Sequence, residues 1–264
     1  MTGTAVLFGL IAIGFSWAIW LPLAWTGTES PLKDVGAFGP AVATLVIVAI
    51  DLDRRRLVMA QLGRWRVPVR WYALAIGAPV VACLASVAAA GLLGASDLHF
   101  NDPAQLYLIV PAFLVVLIAG GPLAEEPGWR GVLQPTLAER HSAPVAGLVV
   151  GVIWAVWHLP LFMIPGTPQA QLPLLGYVPL TIGLGVIYGA LGRRTGGSLP
   201  VAIVLHAASN TAAGVLPVVP SEAGGPLLPF ALVTGIVLTV AGSILAGTAR
   251  STRPGVHSVG MGVR

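Results

Sequence analysis

Five polar side chains lie in or beside strongly apolar segments of the chain, where ionisable groups are costly and rare. Glu125 and Glu126 are adjacent, His158 follows in a later apolar segment, and His206 and Asn210 lie four residues apart in another. A carboxylate can take a proton from water, a histidine can orient or protonate, and a histidine with an asparagine can donate hydrogen bonds to a developing oxyanion. If these side chains share a wet cavity, they form a set suited to hydrolysis.

The two adjacent glutamates are expected to have different roles. A Gly-Gly-Pro sequence at 120–122 predicts a break in the apolar segment, after which a new helix would hold both glutamates in its first turns. Adjacent helical residues point about 100° apart, so the two carboxylates cannot share one task. Glu126 and Arg130 have i,i+4 spacing and can pair on one face. This pairing leaves Glu125 for a different face.

Each of these clusters also has a purely structural interpretation. The glutamates with Arg130 could form an ordinary helix end with a local ion pair. His158 could be a packed, hydrogen-bonded side chain, and His206 with Asn210 could join two helices. The structural interpretations weaken when the residues are taken together, because each polar group is costly to desolvate unless they all meet in one cavity.

The composition identifies the class of protein that must position these groups. Of 264 residues, 56% are hydrophobic and only 9% are charged, whereas soluble domains carry about 25% charged residues. The chain is therefore expected to be an integral membrane protein. Its single cysteine, Cys83, excludes a disulfide scaffold and a four-cysteine zinc site. The net charge of +4 is attributed to membrane topology and anionic lipid, and nucleic-acid binding is not expected.

Hydropathy predicts an all-α polytopic fold with about eight transmembrane helices, because a spanning helix needs about 20 mainly apolar residues. The whole chain, 1–264, is interpreted as one membrane domain. The predicted spans are roughly 4–25, 36–51, 71–95, 104–124, 144–164, 173–192, 199–216 and 227–249.

The distribution of basic residues predicts the orientation. All arginines fall in the even-numbered connections and the C-terminal tail, and Lys33 is the one basic residue assigned to the opposite side. The positive-inside rule then places both termini in the cytoplasm. The segment 53–70, in which arginines alternate with apolar residues, is expected to lie on the anionic lipid of that leaflet. A solvated basic loop is the alternative interpretation of this segment.

In these motifs the sequence resembles the CPBP family of intramembrane proteases, which includes type II CAAX prenyl endopeptidases and bacteriocin-processing or immunity proteins. The family pattern is E-E-x-x-x-R, then F-x-x-x-H, then H-x-x-x-N. The corresponding residues here are 125–130, 154–158 and 206–210, with Trp154 in place of the phenylalanine. The resemblance places the catalytic core at about 104–215.

The resemblance implies a multi-pass protease of the cell membrane whose active site opens to the cytoplasm and whose substrate is a peptide or lipidated peptide. By this analogy Glu125 and His158 activate the attacking water, and His206 and Asn210 stabilise the oxyanion. Glu126, Arg130 and Trp154 would support the site. The substrate bond would lie near the C-terminus or the leader of a membrane-associated protein.

Two alternatives accompany this interpretation. Glu125, His158 and His206 also form a plausible zinc set with a free position for water. A metal-free mechanism is favoured over zinc, because Asn210 is a poor zinc ligand but a good oxyanion donor. The chain could instead be a non-enzymatic membrane protein, either an immunity or scaffold factor or a small transporter, that uses the same buried polar residues.

Overall fold

The computed structural model describes residues 3–95, 109–220 and 226–251, and the regular secondary structure within these ranges is helical. The α-helices in these ranges are α1 (Gly3–Thr26), α2 (Leu32–Gly36), α3 (Gly39–Ile50), α4 (Leu52–Leu62), α5 (Arg70–Leu92), α6 (Ile109–Ala119), α7 (Pro122–Glu126), α8 (Gln134–Ala138), α9 (Ala143–Trp157), α10 (Leu174–Thr195), α11 (Leu199–Val215) and α12 (Leu228–Ser251). A π-helix, Pro127–Leu133, joins α7 to α8. Two short 3-10 helices, Leu159–Met163 and Pro168–Gln171, follow α9.

Seven helical segments in the described part of the chain are long and apolar enough to cross a membrane. They correspond to seven of the predicted spans, and the all-α polytopic membrane fold is confirmed. The remaining predicted span is α11, an apolar helix of 17 residues. At 1.5 Å per residue α11 is about 25 Å long, which is at the short end for a spanning helix.

The predicted end of the fourth span, at 124, is wrong. The chain turns at Gly121, which has a φ of 101°, and Pro122 then begins α7. The helical path continues through the π-helix to Ala138. Proline is tolerated at the first helical position because a backbone N–H there would have no partner within the helix. The turn therefore redirects the helix without ending the span. The predicted start of this span, at 104–108, lies outside the described residues.

The connections between helices gather at two ends of the molecule. At the end that we call the basic end, formed by residues 52–70, 139–143 and 193–198, Arg54 pairs with Glu139 and Ser198 Oγ donates to the Arg64 carbonyl over 2.6 Å. At the opposite end Lys33 Nζ donates to the Gly166 carbonyl over 3.2 Å. Even-numbered connections therefore meet one another, as the predicted topology requires.

The segment 53–70 begins as a helix, and Arg130 differs from the sequence interpretation. The first part of the segment is the helix α4, which is capped by the Asp51 side chain accepting from two backbone N–H groups. Arg130, which the charge count assigned to a connection, is instead buried, with 6% of its surface exposed. It therefore contributes nothing to the charge that faces lipid or water.

Helices α9 and α10 pack backbone to backbone through four glycines. A Cβ on Gly147 would collide with the Gly185 carbonyl, and one on Gly151 would lie 2.8 Å from the Ile182 Cα. Gly189 is similarly close to the start of α9. The small-xxx-small spacing of both helices therefore does mediate close contact. This contact fixes α9, the helix that ends in the candidate histidine His158.

Candidate active site

The turn at Gly121 separates α6 from α7 and directs the next residues into the interior. Glu125 is 6% exposed and Glu126 is fully buried, so the pair is not an exposed helix end. The π-helix that follows, Pro127–Leu133, is a wider winding that is often found at functional sites. It carries Trp129 and Arg130 on the turn that faces the two glutamates.

Glu125 lines a large cavity and is held by two indoles. Its Oε2 accepts from Trp154 Nε1 over 2.8 Å and from Trp129 Nε1 over 3.2 Å. Its Oε1 points towards Gly121, where a Cβ would lie only 2.6 Å from that oxygen. Glu125 is therefore buried, ordered by neutral donors and next to open space.

Glu126 lies on the other face and forms a buried charged cluster. Its Oε1 lies 2.8 Å from His206 Nδ1, and its Oε2 lies 3.1 Å from Arg130 Nε. The Arg130 guanidinium also stacks on two aromatic rings, with Cζ 4.0 Å from the centre of Tyr188 and 5.0 Å from that of Trp154. The stacking places a cation against two π faces, where a delocalised guanidinium is stabilised.

His158 caps α9 and has a defined tautomer. Its Nδ1 lies 2.8 Å from the Trp154 carbonyl. Because a carbonyl only accepts, Nδ1 must donate, and the neutral ring then presents the lone pair of Nε2. The Trp154 ring contacts both histidines, with centroid distances of 5.7 Å to His158 and 5.4 Å to His206.

One cavity of about 2430 Å³ collects the candidate residues. Glu125, His158, His206 and Asn210 all line it, whereas Glu126 does not. Asn210 is exposed to this space, one turn along α11 from His206. The cavity reaches the basic end, at Arg193 and Arg194, and also extends to the opposite end. At that opposite end its lining includes Lys33, Asp34 and Gln169.

The arrangement supports proton transfer and oxyanion stabilisation on one wall of the cavity. Glu125 offers a carboxylate oxygen, and the free Nε2 of His158 offers a second polar atom for a water molecule. His206, whose Nδ1 is directed at Glu126, has its Nε2 available for the cavity, and Asn210 adds an amide. Glu126 and Arg130 do not line the cavity; they lie behind this wall and support it.

The alternative zinc set does not fit this geometry. Within the described ranges, no group of three or more His, Cys, Asp or Glu side chains is arranged to hold a metal ion. Glu125, His158 and His206 line the same cavity, and the Trp154 ring contacts both imidazoles.

Sequence reasoning missed two residues that hold the site together. Trp129 donates to Glu125, and Tyr188 forms one face of the Arg130 stack. Trp129 is at i+4 from Glu125, a spacing that places both on one helical face and that could have identified it. Tyr188 comes from α10, and nothing in its local sequence indicates a partner in another helix.

Comparisons with known proteins match a part of the chain. Residues 106–212 match the model of the family described as type II CAAX prenyl endopeptidase Rce1-like. The chain is also similar to CAAX prenyl protease 2 of Methanococcus maripaludis, with 27% identity over 103 residues. That alignment covers 37% of this chain and 37% of the relative, so it spans just over a third of either protein.

Both matches agree with the family that the three motifs predict, and the matched region contains all three. Glu125, His158, His206 and Asn210 lie between 106 and 212. The segment 106–212 is therefore similar to the Rce1-like type II CAAX prenyl endopeptidases, in agreement with the resemblance that the three motifs carry.

Proposed function

We propose that this chain is a membrane endopeptidase of the CAAX protease type, which hydrolyses a peptide bond in a membrane-associated peptide. The observation that supports it best is the divergence of the two adjacent glutamates. Glu125 lines the cavity together with His158, His206 and Asn210, whereas Glu126 is fully buried against Arg130. A site with one carboxylate free for chemistry and one used for support matches the requirements of hydrolysis.

The water is activated between Glu125 and His158. Glu125 removes a proton as the water attacks the substrate carbonyl, and His158 orients the water through its free Nε2. The proton then passes to the leaving amine, so that a carboxylic acid and an amine leave the site. No step in this sequence requires a group that the chain does not supply.

The tetrahedral oxyanion is stabilised from α11. His206 donates through Nδ1 to Glu126, and its protonated ring would present Nε2–H to the oxyanion, beside the amide of Asn210. With His206 protonated, the charges of Glu125, Glu126, Arg130 and His206 sum to zero. A neutral cluster is far less costly to bury in a membrane than an unbalanced one.

The cavity indicates the size of the substrate. Its volume of about 2430 Å³ exceeds the roughly 300–1,000 Å³ of typical small-molecule sites. Apolar side chains such as Leu74, Val116 and Val237 form part of its lining. A peptide that carries a lipid group, or that is itself apolar, fits this space. The name of the Methanococcus relative, CAAX prenyl protease 2, supports a prenylated peptide as the first substrate to test.

The orientation and setting of the active site belong to the same proposal. The basic end would face the cytoplasm of the cell, and the site would open to it past Arg193 and Arg194. The helix α4, with exposed Arg55 and Arg56 beside exposed Leu52 and Met59, would rest on anionic lipid.

The test is a cleavage assay with purified protein in detergent. The probes are a farnesylated peptide ending in a CAAX sequence and the same peptide without the farnesyl group, with products identified by mass spectrometry. We expect the wild-type protein to cut the farnesylated probe and Glu125→Gln to be inactive. Glu139→Gln, a substitution at the exposed ion pair with Arg54, is the matched control and should stay active.

Absence of cleavage of both probes by folded wild-type protein would contradict the proposal. Equal cleavage by the wild type and Glu125→Gln would contradict the assignment of the base.

A further inference from the structure

Glu125 has an asymmetric environment that the proposed function does not explain. Both protein donors, Trp154 Nε1 and Trp129 Nε1, donate to the same oxygen, Oε2. Among the described residues none donates to Oε1. One oxygen of the carboxylate therefore accepts two hydrogen bonds, and the other accepts none from the described residues.

The held oxygen is fixed from two separate helical segments. Trp129 belongs to the π-helix, and Trp154 belongs to α9. Trp129 is fully buried, and Trp154 is 5% exposed, so both indole N–H groups are shielded from bulk water. Each ring is further held by aromatic neighbours, Trp129 by Phe8 at 5.2 Å and Trp154 by Tyr188 at 6.3 Å between ring centres.

The free oxygen has space because of Gly121. The backbone there has a φ of 101°, which disfavours residues other than glycine, and a side chain would begin 2.6 Å from Oε1. The glycine thus keeps the approach to Oε1 open at the wall of the cavity.

We propose that Trp129 and Trp154 are positioning residues that hold Oε2 of Glu125, so that Oε1 is the oxygen that takes the proton from the attacking water. This inference rests on the proposed function, since it assigns the working atom of the same base. Hydrogen bonds to a charged acceptor are the stronger kind, and two of them restrict rotation of the carboxylate. A fixed carboxylate keeps its basic lone pair aimed at the water, and misalignment by even a small distance slows such a step.

The experiment replaces each indole by a phenyl ring, which keeps the aromatic packing but removes the N–H. The variants are Trp154→Phe, Trp129→Phe and the double substitution. The matched control is Trp20→Phe, a buried tryptophan whose Nε1 donates to the Lys33 carbonyl over 2.7 Å and does not contact Glu125. Activity on the farnesylated probe is measured per folded molecule.

We expect Trp154→Phe to lower kcat by about tenfold to a hundredfold and Trp129→Phe by about tenfold, with KM changed by less than about twofold. The acidic limb of the pH–rate profile should move to higher pH in both variants, because the lost donors favour the charged carboxylate. Trp20→Phe should leave both readouts unchanged. A purely structural role for the indoles would lower the amount of folded protein without moving the profile.

A second measurement tests the hydrogen bonds without any substrate. The indole N–H resonances of ¹⁵N-tryptophan-labelled protein are assigned with the three single variants. Glu125→Ala should shift the Trp129 and Trp154 resonances and leave that of Trp20 in place. Unshifted resonances, or full kcat in Trp154→Phe, would overturn the inference. Absence of any cleavage by folded wild-type protein would instead overturn the proposed function, so the two failures are distinguishable.

Discussion

Glutamine substitution of each glutamate separates the supporting role from the catalytic one. Glu126→Gln keeps the side-chain volume, so it creates no cavity, but it leaves the buried Arg130 guanidinium without its counter-charge at 3.1 Å. Removing one partner of a buried ion pair costs about 3–5 kcal/mol. For a protein of this size each kcal/mol shifts Tm by about 2–4 °C, so a fall of roughly 6–20 °C is expected.

Glu125→Gln should behave in the opposite way. Its amide oxygen can still accept from both indoles, so stability should change by less than about 1 kcal/mol. Loss of a general base lowers turnover by about 10²–10⁴-fold. Thermal unfolding in detergent and cleavage per folded molecule are measured for both variants. A stable, inactive Glu126→Gln together with an active Glu125→Gln would reverse the assignment.

A double variant checks that the ion pair, and not the glutamate alone, determines the stability change. Glu126→Gln combined with Arg130→Met removes both charges and keeps the length of the arginine stem. Because a buried pair replaced by neutral groups is often no less stable, most of the lost Tm should return. A double variant as unstable as the sum of its two single variants would show that the pair does not interact.

Three further predictions concern topology, the oxyanion and metal. Reporter fusions should place positions 60, 140 and 195 in the cytoplasm and positions 30 and 168 outside, and an outside signal at 140 would refute the orientation. Asn210→Ala should lower kcat by about 10²–10³-fold with little change in Tm, the magnitude expected for loss of one oxyanion donor; an unchanged kcat would remove Asn210 from the site. Purified protein should contain less than one zinc per chain by elemental analysis and keep its activity after prolonged chelation. Activity lost to chelator and restored by zinc would establish a metalloprotease.

Much of the fold could be predicted because a membrane imposes simple rules. Length and hydropathy are enough to find spans when every backbone group must bond within its own helix. The exception is the end of the fourth span, which was placed at 124, although the break at 120–122 and the new helix after it were predicted correctly. A Gly-Gly-Pro break and a helix end look alike in sequence, and only the packing of residues 127–138 against the rest of the protein distinguishes them.

The site could be predicted only for residues with a local signal. The spacing of Glu126 and Arg130 predicted that they pair. The structure confirms the pair, with 3.1 Å between Arg130 Nε and Glu126 Oε2. The partner of His206 could not be found in this way, because Glu126 is 80 positions away and the contact depends on how α7 meets α11. The motif comparison placed Trp154 at the position of the family's phenylalanine and gave it a supporting role. That interpretation missed the indole N–H, which forms the shorter of the two hydrogen bonds to Glu125.

Trp154 connects the part of the site that lines the cavity with the part that supports it. Its indole N–H holds Glu125, its carbonyl accepts from His158, and its ring faces His206 and stacks with Arg130. The charged cluster behind the cavity and the groups that line it therefore share one side chain. A change that displaces Arg130 changes the stacking on this ring, whose N–H also holds Glu125. The proposed base is thus linked to the buried ion pair through one side chain.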